Sequence, residues 1–305
     1  HITMLVDEKL KDVVLFNPYL DEVVTIDKKG RDNSILSLWA CSRHLSKLDF
    51  DVLINLHPNE RCSFIDAMTS VKLRTGTTHK IFKWFWDVFT PLDRSMHAAD
   101  MYLDVLQQLG VQDLSNNGLE IFPGEEHFLE AELFWQEQNI TDQDKLIGFN
   151  IGSAVPTKRW PPERFAEVAD IFAAKGYKTV FFGGPMDEEM VAEATGYMQT
   201  RPIIATGHFA IGGLAAAMRR CCLIITNDSG PMHVAISQKV PIVAMYGPSN
   251  PKLYGPYTKD AVIVTAQPPC QGCADGMKHS CDDMQCMSRM TVEQVVAAAD
   301  TMLDK

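Results

Sequence analysis

Short apolar runs separated by helically spaced segments dominate the chain. Ile2–Val6, Val13–Phe16 and Glu22–Ile26 open it as runs of strand length. Ser34–Leu48 then repeats its apolar residues at helical spacing, and Asp51–Leu56 reads as a strand that ends at His57, Pro58 and Asn59. Such alternation predicts a parallel sheet with crossover helices, and sheets of that kind bind ligands beyond the carboxyl ends of their strands. An amphipathic helix over His97–Leu109 stops at Gly110, and Ser115–Gly124, with its Asn, Gly and Pro, reads as the start of a linker.

After a helix-like stretch, Glu125–Gln138, the pattern restarts. Strands are predicted at Lys145–Ile151, Thr179–Phe182, Cys222–Thr226 and Pro241–Tyr246. Helices are predicted at Pro162–Lys175, Asp187–Met198, Ile211–Arg220, Pro231–Gln238 and Thr291–Leu303. The expected fold class is α/β, with two Rossmann-like domains, residues 1–140 and 141–305, and a cleft between them. The last helix is allowed to pack back on the N-terminal domain.

Composition narrows the function. With 305 residues, 46% apolar and 22% charged, the chain has material for two ordinary cores. No apolar stretch approaches the roughly 20 residues of a membrane helix, and no signal peptide is legible. The net charge of −11 argues against nucleic acid as a partner, because such binding rests on clustered cations neutralising phosphates.

Two loops carry candidate chemistry. Asp228, Ser229, Gly230 and Pro231 follow the strand ending at Thr226. Asp228 and Ser229 suit helix capping, Gly230 frees the backbone and Pro231 fits a first helical turn. Such a helix start offers N–H groups and a partial positive charge to an anion, with His233 one turn inside. The second loop, Gly152 to Pro161, places Ser153, Thr157, Lys158 and Arg159 just beyond another strand. Lys is a point charge suited to phosphate and Arg a planar fork. A surface loop with two solvated cations would show the same residues, but two anion-friendly loops on one sheet edge favour a diphosphate ligand. Neither G-x-G-x-x-G nor the P-loop pattern is present, which argues against dinucleotide cofactors and NTPases. Ser229 and His233 could also be nucleophile and base of a hydrolase, although no G-x-S-x-G elbow surrounds the serine.

Taken together, Gly152–Pro161, the turn Asn227–His233 and Tyr246-Gly247-Pro248-Ser249 resemble the heptosyltransferases, glycosyltransferase family 9. The resemblance extends over nearly the whole chain and is strongest from Leu146 to Tyr257. It implies a GT-B-type fold and transfer of heptose from ADP-heptose to the inner core in lipopolysaccharide biosynthesis, by inverting displacement. It also implies a cytoplasmic enzyme peripheral to the inner membrane, with the C-terminal domain holding the donor. By this resemblance Ser153, Thr157 and Lys158 contact the donor phosphates and Asp228 lies close to the heptose. Ser229 and Gly230 contact the diphosphate, and His233 supports the site. Gly183, Gly184 and Asp187 or Glu188 border the adenosine, a carboxylate there reaching the ribose. Lys158, Asp228 and His233 thus support catalysis, and no metal is required. The family's general base resembles an Asp in a Gly-Asp loop after the first strand. This chain reads as beginning at the second strand, so no residue is matched to the base. The alternatives are another nucleotide-sugar donor or an inactive nucleotide-binding module.

Two features stand outside that scheme. In Val71–Thr90, Arg74, His79, Lys80 and Lys83 interleave with Phe82, Trp84, Phe85, Trp86 and Phe89. On an acidic protein this mixture fits anionic lipid headgroups or a phosphorylated glycolipid acceptor; the same aromatics could simply pack beneath a loop. Near the C-terminus, Cys270, Cys273, Cys281 and Cys286 have spacings open to a structural zinc, to local disulfides or to reduced thiols.

Overall fold

The computed structural model describes residues 1–93, 95–266 and 281–305. Its contacts divide the chain into two compact units, His1–Lys11 with Tyr19–Asn116, and Asp12–Pro18 with Asn117–Lys305. The helix Glu125–Glu137, on the N-terminal side of the expected boundary at residue 140, belongs to the second unit.

Among the described residues the first unit has the strands β1 (Thr3–Asp7), β2 (Glu22–Ile26), β3 (Val52–Asn55), β4 (Leu73–Gly76) and β5 (Val88–Phe89). They form a parallel pair, β1–β2, and a parallel sheet ordered β3-β4-β5. The run Val13–Phe16 is not a strand. Val13 and Val14 finish a single helical turn, α1 (Lys11–Val14), and Phe16 packs edge-on against His127 within the second unit, ring centroids 5.5 Å apart. Helix α2 (Ile35–Ser46) starts at a capping box in which the Ser34 hydroxyl accepts from the Ser37 N–H. Its buried Leu38 and Leu45 join Ile26 and, from α3 (Glu60–Met68), Ile65 in a small core. Helix α4 (Ala98–Gln108) begins after His97, whose ring caps the Ala99 N–H at 3.1 Å.

The ends of β3 and β4 meet tightly. Gly76 has φ +108°, and a Cβ there would lie 2.2 Å from the Asn55 carbonyl oxygen. Backbone atoms cannot yield to that degree, and the left-handed conformation is itself strained for an L side chain. Gly76→Ala is therefore expected to destabilise the first unit by at least about 2 kcal/mol, measurable as a lowered denaturation midpoint; an unchanged midpoint would contradict the close approach.

The second unit contains α5 (Glu125–Glu137) and one six-stranded parallel sheet. Its strands are β6 (Leu146–Asn150), β7 (Lys178–Phe182), β8 (Ile203–Ile204), β9 (Cys221–Asn227), β10 (Ile242–Met245) and β11 (Ala261–Val264). The order is β11-β10-β9-β6-β7-β8, that of a doubly wound Rossmann-like sheet whose direction of winding reverses between β6 and β9. Strands covered on both faces are continuously apolar rather than alternating. Period two then sorts them: Ile147, Phe149, Leu223, Ile225, Val243 and Met245 enter one core, while Leu146, Ile224, Ile242 and Ala244 enter the other.

The first of these cores is roofed by α6 (Pro162–Ala174) and α7 (Glu188–Tyr197). The second is roofed by α5, α8 (Ile211–Met218) and α9 (Gly230–Ser237). After the short helices α10 (Pro251–Tyr254) and α11 (Gln285–Ser288), helix α12 (Val292–Leu303) starts at a capping box between Thr291 and Gln294. Val292, Val295, Ala299 and Met302 complete the first core of the second unit, because that face of the sheet is otherwise half uncovered.

Candidate functional site at the switch point

Three strand ends meet at the reversal point, and asparagines tie them together. Asn150, the last residue of β6 and fully buried, donates from Nδ2 to the Thr226 hydroxyl at 3.0 Å and to the Ser229 hydroxyl at 2.7 Å. The Thr226 hydroxyl donates in turn to the Asn227 carbonyl, so it can only accept from Asn150, which sets the orientation of that amide. Asn227, the last residue of β9, clamps both ends of the following β6 loop. Its Nδ2 donates to the Ile151 carbonyl at 2.7 Å, and its Oδ1 accepts from the Trp160 N–H at 3.0 Å. Trp160 is fully buried and its indole N–H donates to the Met290 carbonyl at 3.1 Å.

Within the clamped loop, a short 3₁₀ turn at Pro156–Lys158 carries Lys158 to the β9 turn. Its Nζ lies 2.8 Å from the Asp228 Oδ2, with side-chain exposures of 16% and 7%. The same carboxylate oxygen accepts a short hydrogen bond from the Ser249 hydroxyl, which follows β10. Tyr246 sits beside it, its hydroxyl donating to the Tyr254 carbonyl at 2.8 Å. Burial raises the phenol well above its ordinary pKa, and the Asp228 charge adds to that rise, so Tyr246 stays a neutral donor. Arg159 turns away, donating from Nε and Nη2 to the Ser153 carbonyl at 2.9 and 2.7 Å.

Capping of α9 differs from the expectation. Ser229 occupies the cap position, but its hydroxyl is engaged by Asn150, and the Asp228 carboxylate is turned to Lys158 and Ser249. Among the described residues no side chain caps the first turn, and the space beside Gly230 is open. That leaves an uncapped helix start with its partial positive charge next to a buried ammonium group. His233 is half-buried one turn further on.

The β7 loop joins the same edge. A Cβ on Gly152 would fall 2.1 Å from the Asp187 Oδ1, so the β6 and β7 loops touch there. The other oxygen of Asp187 accepts from the Gly184 N–H at 2.9 Å, which caps its own turn. Glu188 is exposed beside Gly207, Thr157 and Ser153 are buried, and Gly183 lies under Asp187. The structure thus brings Ser153, Lys158, Gly183, Gly184, Asp187, Asp228, Ser229 and Gly230 to one sheet edge. Asn150 lies outside the sequence motifs, while Asn227, Tyr246 and Ser249 stand within them without an individual role. A polar amide closing an otherwise apolar strand was the available signal for the two asparagines.

The residues expected for the acceptor lie in the first unit. The Arg74 guanidinium donates to the carbonyls of Asp66, Phe85 and Thr69 at 2.8, 2.9 and 2.6 Å, so it fastens its own segment. Lys80 and Lys83 are exposed on the turn Lys80–Phe85, and the His79 Nε2 lies 3.8 Å from Glu60. Of the four clustered cysteines, Cys270 and Cys273 lie outside the described residues; Cys286 is buried in the first core of the second unit and Cys281 is half-buried. Among the described residues, no group of three or more His, Cys, Asp or Glu side chains is placed to hold a metal ion.

Residues 38–281 match the family Glycosyltransferase family 9 (heptosyltransferase). The crystal structure of the glycosyl transferase family 9 from Veillonella parvula DSM 2008 is 52% identical, covers 99% of this chain and 88% of its own, and superposes with a TM-score of 0.94. The Escherichia coli ADP-heptose lps heptosyltransferase II shares the fold, with a TM-score of 0.76 over 99% of this chain and 89% of its own at 21% identity. Among curated proteins, the lipooligosaccharide heptosyltransferase 2 of Haemophilus ducreyi is 34% identical over 139 residues, 43% of this chain and 40% of that protein. The chain spans about 40% of the length of the first curated relatives it matches.

Proposed function

Because the chain belongs to glycosyltransferase family 9, we propose that it transfers a heptose from ADP-heptose to the inner core of lipopolysaccharide at the cytoplasmic face of the inner membrane. The observation that carries this reading is the buried Lys158–Asp228 pair beside the uncapped start of α9, at the switch point of the sheet. Anionic ligands of doubly wound sheets bind at such points. The names of the relatives, heptosyltransferases of lipopolysaccharide and lipooligosaccharide, supply the acceptor class, and that of the Escherichia coli ADP-heptose lps heptosyltransferase II supplies the donor.

In this reading the acceptor hydroxyl attacks the anomeric carbon on the face opposite the ADP. The new C–O bond forms as the bond to the diphosphate breaks, which inverts the centre. A general base takes the hydroxyl proton, and the ADP departs with the electron pair. Lys158 and the first N–H groups of α9 balance the charge that builds on the departing diphosphate, where a low dielectric magnifies each contact. Asp228, held by Ser249, keeps the ammonium group in place between turnovers. Ser153, Thr157, Ser229, Gly230 and His233 surround the same groups, and Gly183, Gly184, Asp187 and Glu188 border the nucleoside. His79, Lys80 and Lys83 meet anionic groups of the acceptor, while Arg74 holds their segment.

Calorimetry tests the donor side. ADP and ADP-heptose are expected to bind, UDP and NAD to bind far more weakly, and Lys158→Ala to lose about 1.5–3 kcal/mol toward both adenine ligands, the worth of a charge-assisted contact. Equal affinity in the variant would remove Lys158 from the site, and preference for UDP would remove the donor assignment.

A further inference from the structure

We propose that Asn150 is a positioning residue for the diphosphate: its amide fixes the Ser229 hydroxyl as a hydrogen-bond donor toward the open start of α9 and keeps it from capping that helix. Asn150 closes β6 and is fully buried, while Ser229 is half-buried at the cap position of α9. The hydrogen bonds around them assign the direction of each proton. The Thr226 hydroxyl gives its proton to the Asn227 carbonyl at 2.8 Å, so it meets Asn150 only as an acceptor. The group facing it is therefore the Asn150 Nδ2, whose two N–H bonds serve Thr226 at 3.0 Å and Ser229 at 2.7 Å. The reversed amide would set its oxygen against the Thr226 oxygen. It would also bury unpartnered N–H groups where the present orientation leaves only the Asn150 Oδ1 without a partner among the described residues. A leucine of similar size would leave no orphaned oxygen at the end of β6, so the amide is there for its two donors.

Ser229 carries the consequence. A serine at a cap position ordinarily turns its oxygen to the backbone N–H two or three residues on. Here that contact is missing, because the oxygen is held 2.7 Å from an amide at the end of another strand. With its oxygen accepting from Asn150, the hydroxyl keeps its own proton to give, and among the described residues no acceptor is placed for it. The helix start is short of donors of its own. Pro231 brings no N–H to the first turn, and the Met232 N–H reaches the Ser229 carbonyl at 3.2 Å. A hydroxyl proton beside the open space at Gly230 supplies one more. Held as a donor, it favours an oxyanion over a cationic ligand, and hydrogen bonds to charged oxygens are the strong ones. The buried end of β6 thereby sets the polarity of a contact made one strand away.

The inference rests on the proposed donor reading for what the hydroxyl meets, and its test separates the two. Calorimetry with ADP and with inorganic pyrophosphate compares the wild-type chain with Asn150→Ala, Asn150→Leu, Ser229→Ala and Asn150→Ala/Ser229→Ala, the melting temperature of each being measured alongside. Ser229→Ala is expected to weaken both ligands roughly tenfold, by loss of one hydrogen bond to a charged oxygen. Asn150→Ala should weaken them about as much, because the released hydroxyl turns to cap α9, and the double variant should bind no worse than either single one. Asn150→Leu restores the volume without the donors, and keeps the fold should alanine lose it; it should bind as weakly as Asn150→Ala. Full affinity in Asn150→Leu, or losses that add in the double variant, would make Asn150 a packing residue and overturn the proposal. Unchanged affinity in Asn150→Ala, whatever its melting temperature, does so as well. Pyrophosphate binding with this coupling but no affinity for ADP sinks the donor reading and leaves Asn150 its role. ADP binding indifferent to Asn150 does the opposite, and binding of neither ligand to the wild-type chain overturns both.

Discussion

Asp228→Ala is expected to cost the second unit about 3–5 kcal/mol of stability and to lower any transfer activity by at least about a hundredfold. The reason is asymmetric. Lys158 is nearly enclosed, its ammonium group 2.8 Å from the Asp228 carboxylate. Removing the carboxylate strands a cation in a poorly solvated place and also leaves the Ser249 hydroxyl without its acceptor. Two buried charges repay their desolvation only together. It follows that Lys158→Met combined with Asp228→Ala should lose less stability than the two single losses added, because the double variant buries no lone charge. Thermal or denaturant unfolding of the four proteins checks this. Additive losses would mean that the pair is solvated in solution and that its electrostatic role is small. Activity should not recover in the double variant, since the cation meant for the diphosphate is gone.

Asp66→Asn is expected to stabilise the first unit at neutral and alkaline pH by up to about 4 kcal/mol. Asp66 is buried, with Asn55 donating a short hydrogen bond to its Oδ2. Burial pushes its carboxyl pKa up from 3.8 to about 7, partly opposed by the Arg74 charge and then by the Asn55 hydrogen bond. A folded state that holds a proton more tightly than the unfolded chain is favoured as pH falls. The contribution of Asp66 is therefore fully present below about pH 4, declines as pH rises and is lost above about 7. The neutral amide keeps the shape and has no proton to lose. The difference in unfolding free energy between variant and wild type should thus rise from near zero at low pH to a plateau above neutrality. A flat difference across that range would show that Asp66 ionises freely in the folded protein.

Much of the second unit was legible because its code is local. An apolar run covered on both faces, such as Leu146–Asn150 or Cys221–Asn227, can hardly be other than a central parallel strand. The Gly-Pro step at 230–231 marked the start of α9 to within a residue, and the spacing of Thr291–Leu303 did the same for α12. The first unit was harder to read. Val13–Phe16 has strand-like composition, yet a helical turn satisfies its backbone and Phe16 finds an aromatic-sized gap against His127. Arg74 looked like a ligand-binding cation because a sequence shows its charge and not the three carbonyls waiting for it.

The division at the site has the same origin. By itself the sequence determined that Lys158 and Asp228 each follow a strand, since apolar runs and turn residues state where strands end. Only the tertiary structure decided that those two strands are neighbours, that Ser249 from a third joins them, and that Asn150 and Asn227 clamp the loops. Strand order is set by which faces are left to bury once crossover helices have packed, a balance summed over the whole core. The amphipathic stripe of α12 shows the same limit: its spacing was plain in the chain, but which sheet it covers depended on the uncovered half of one face.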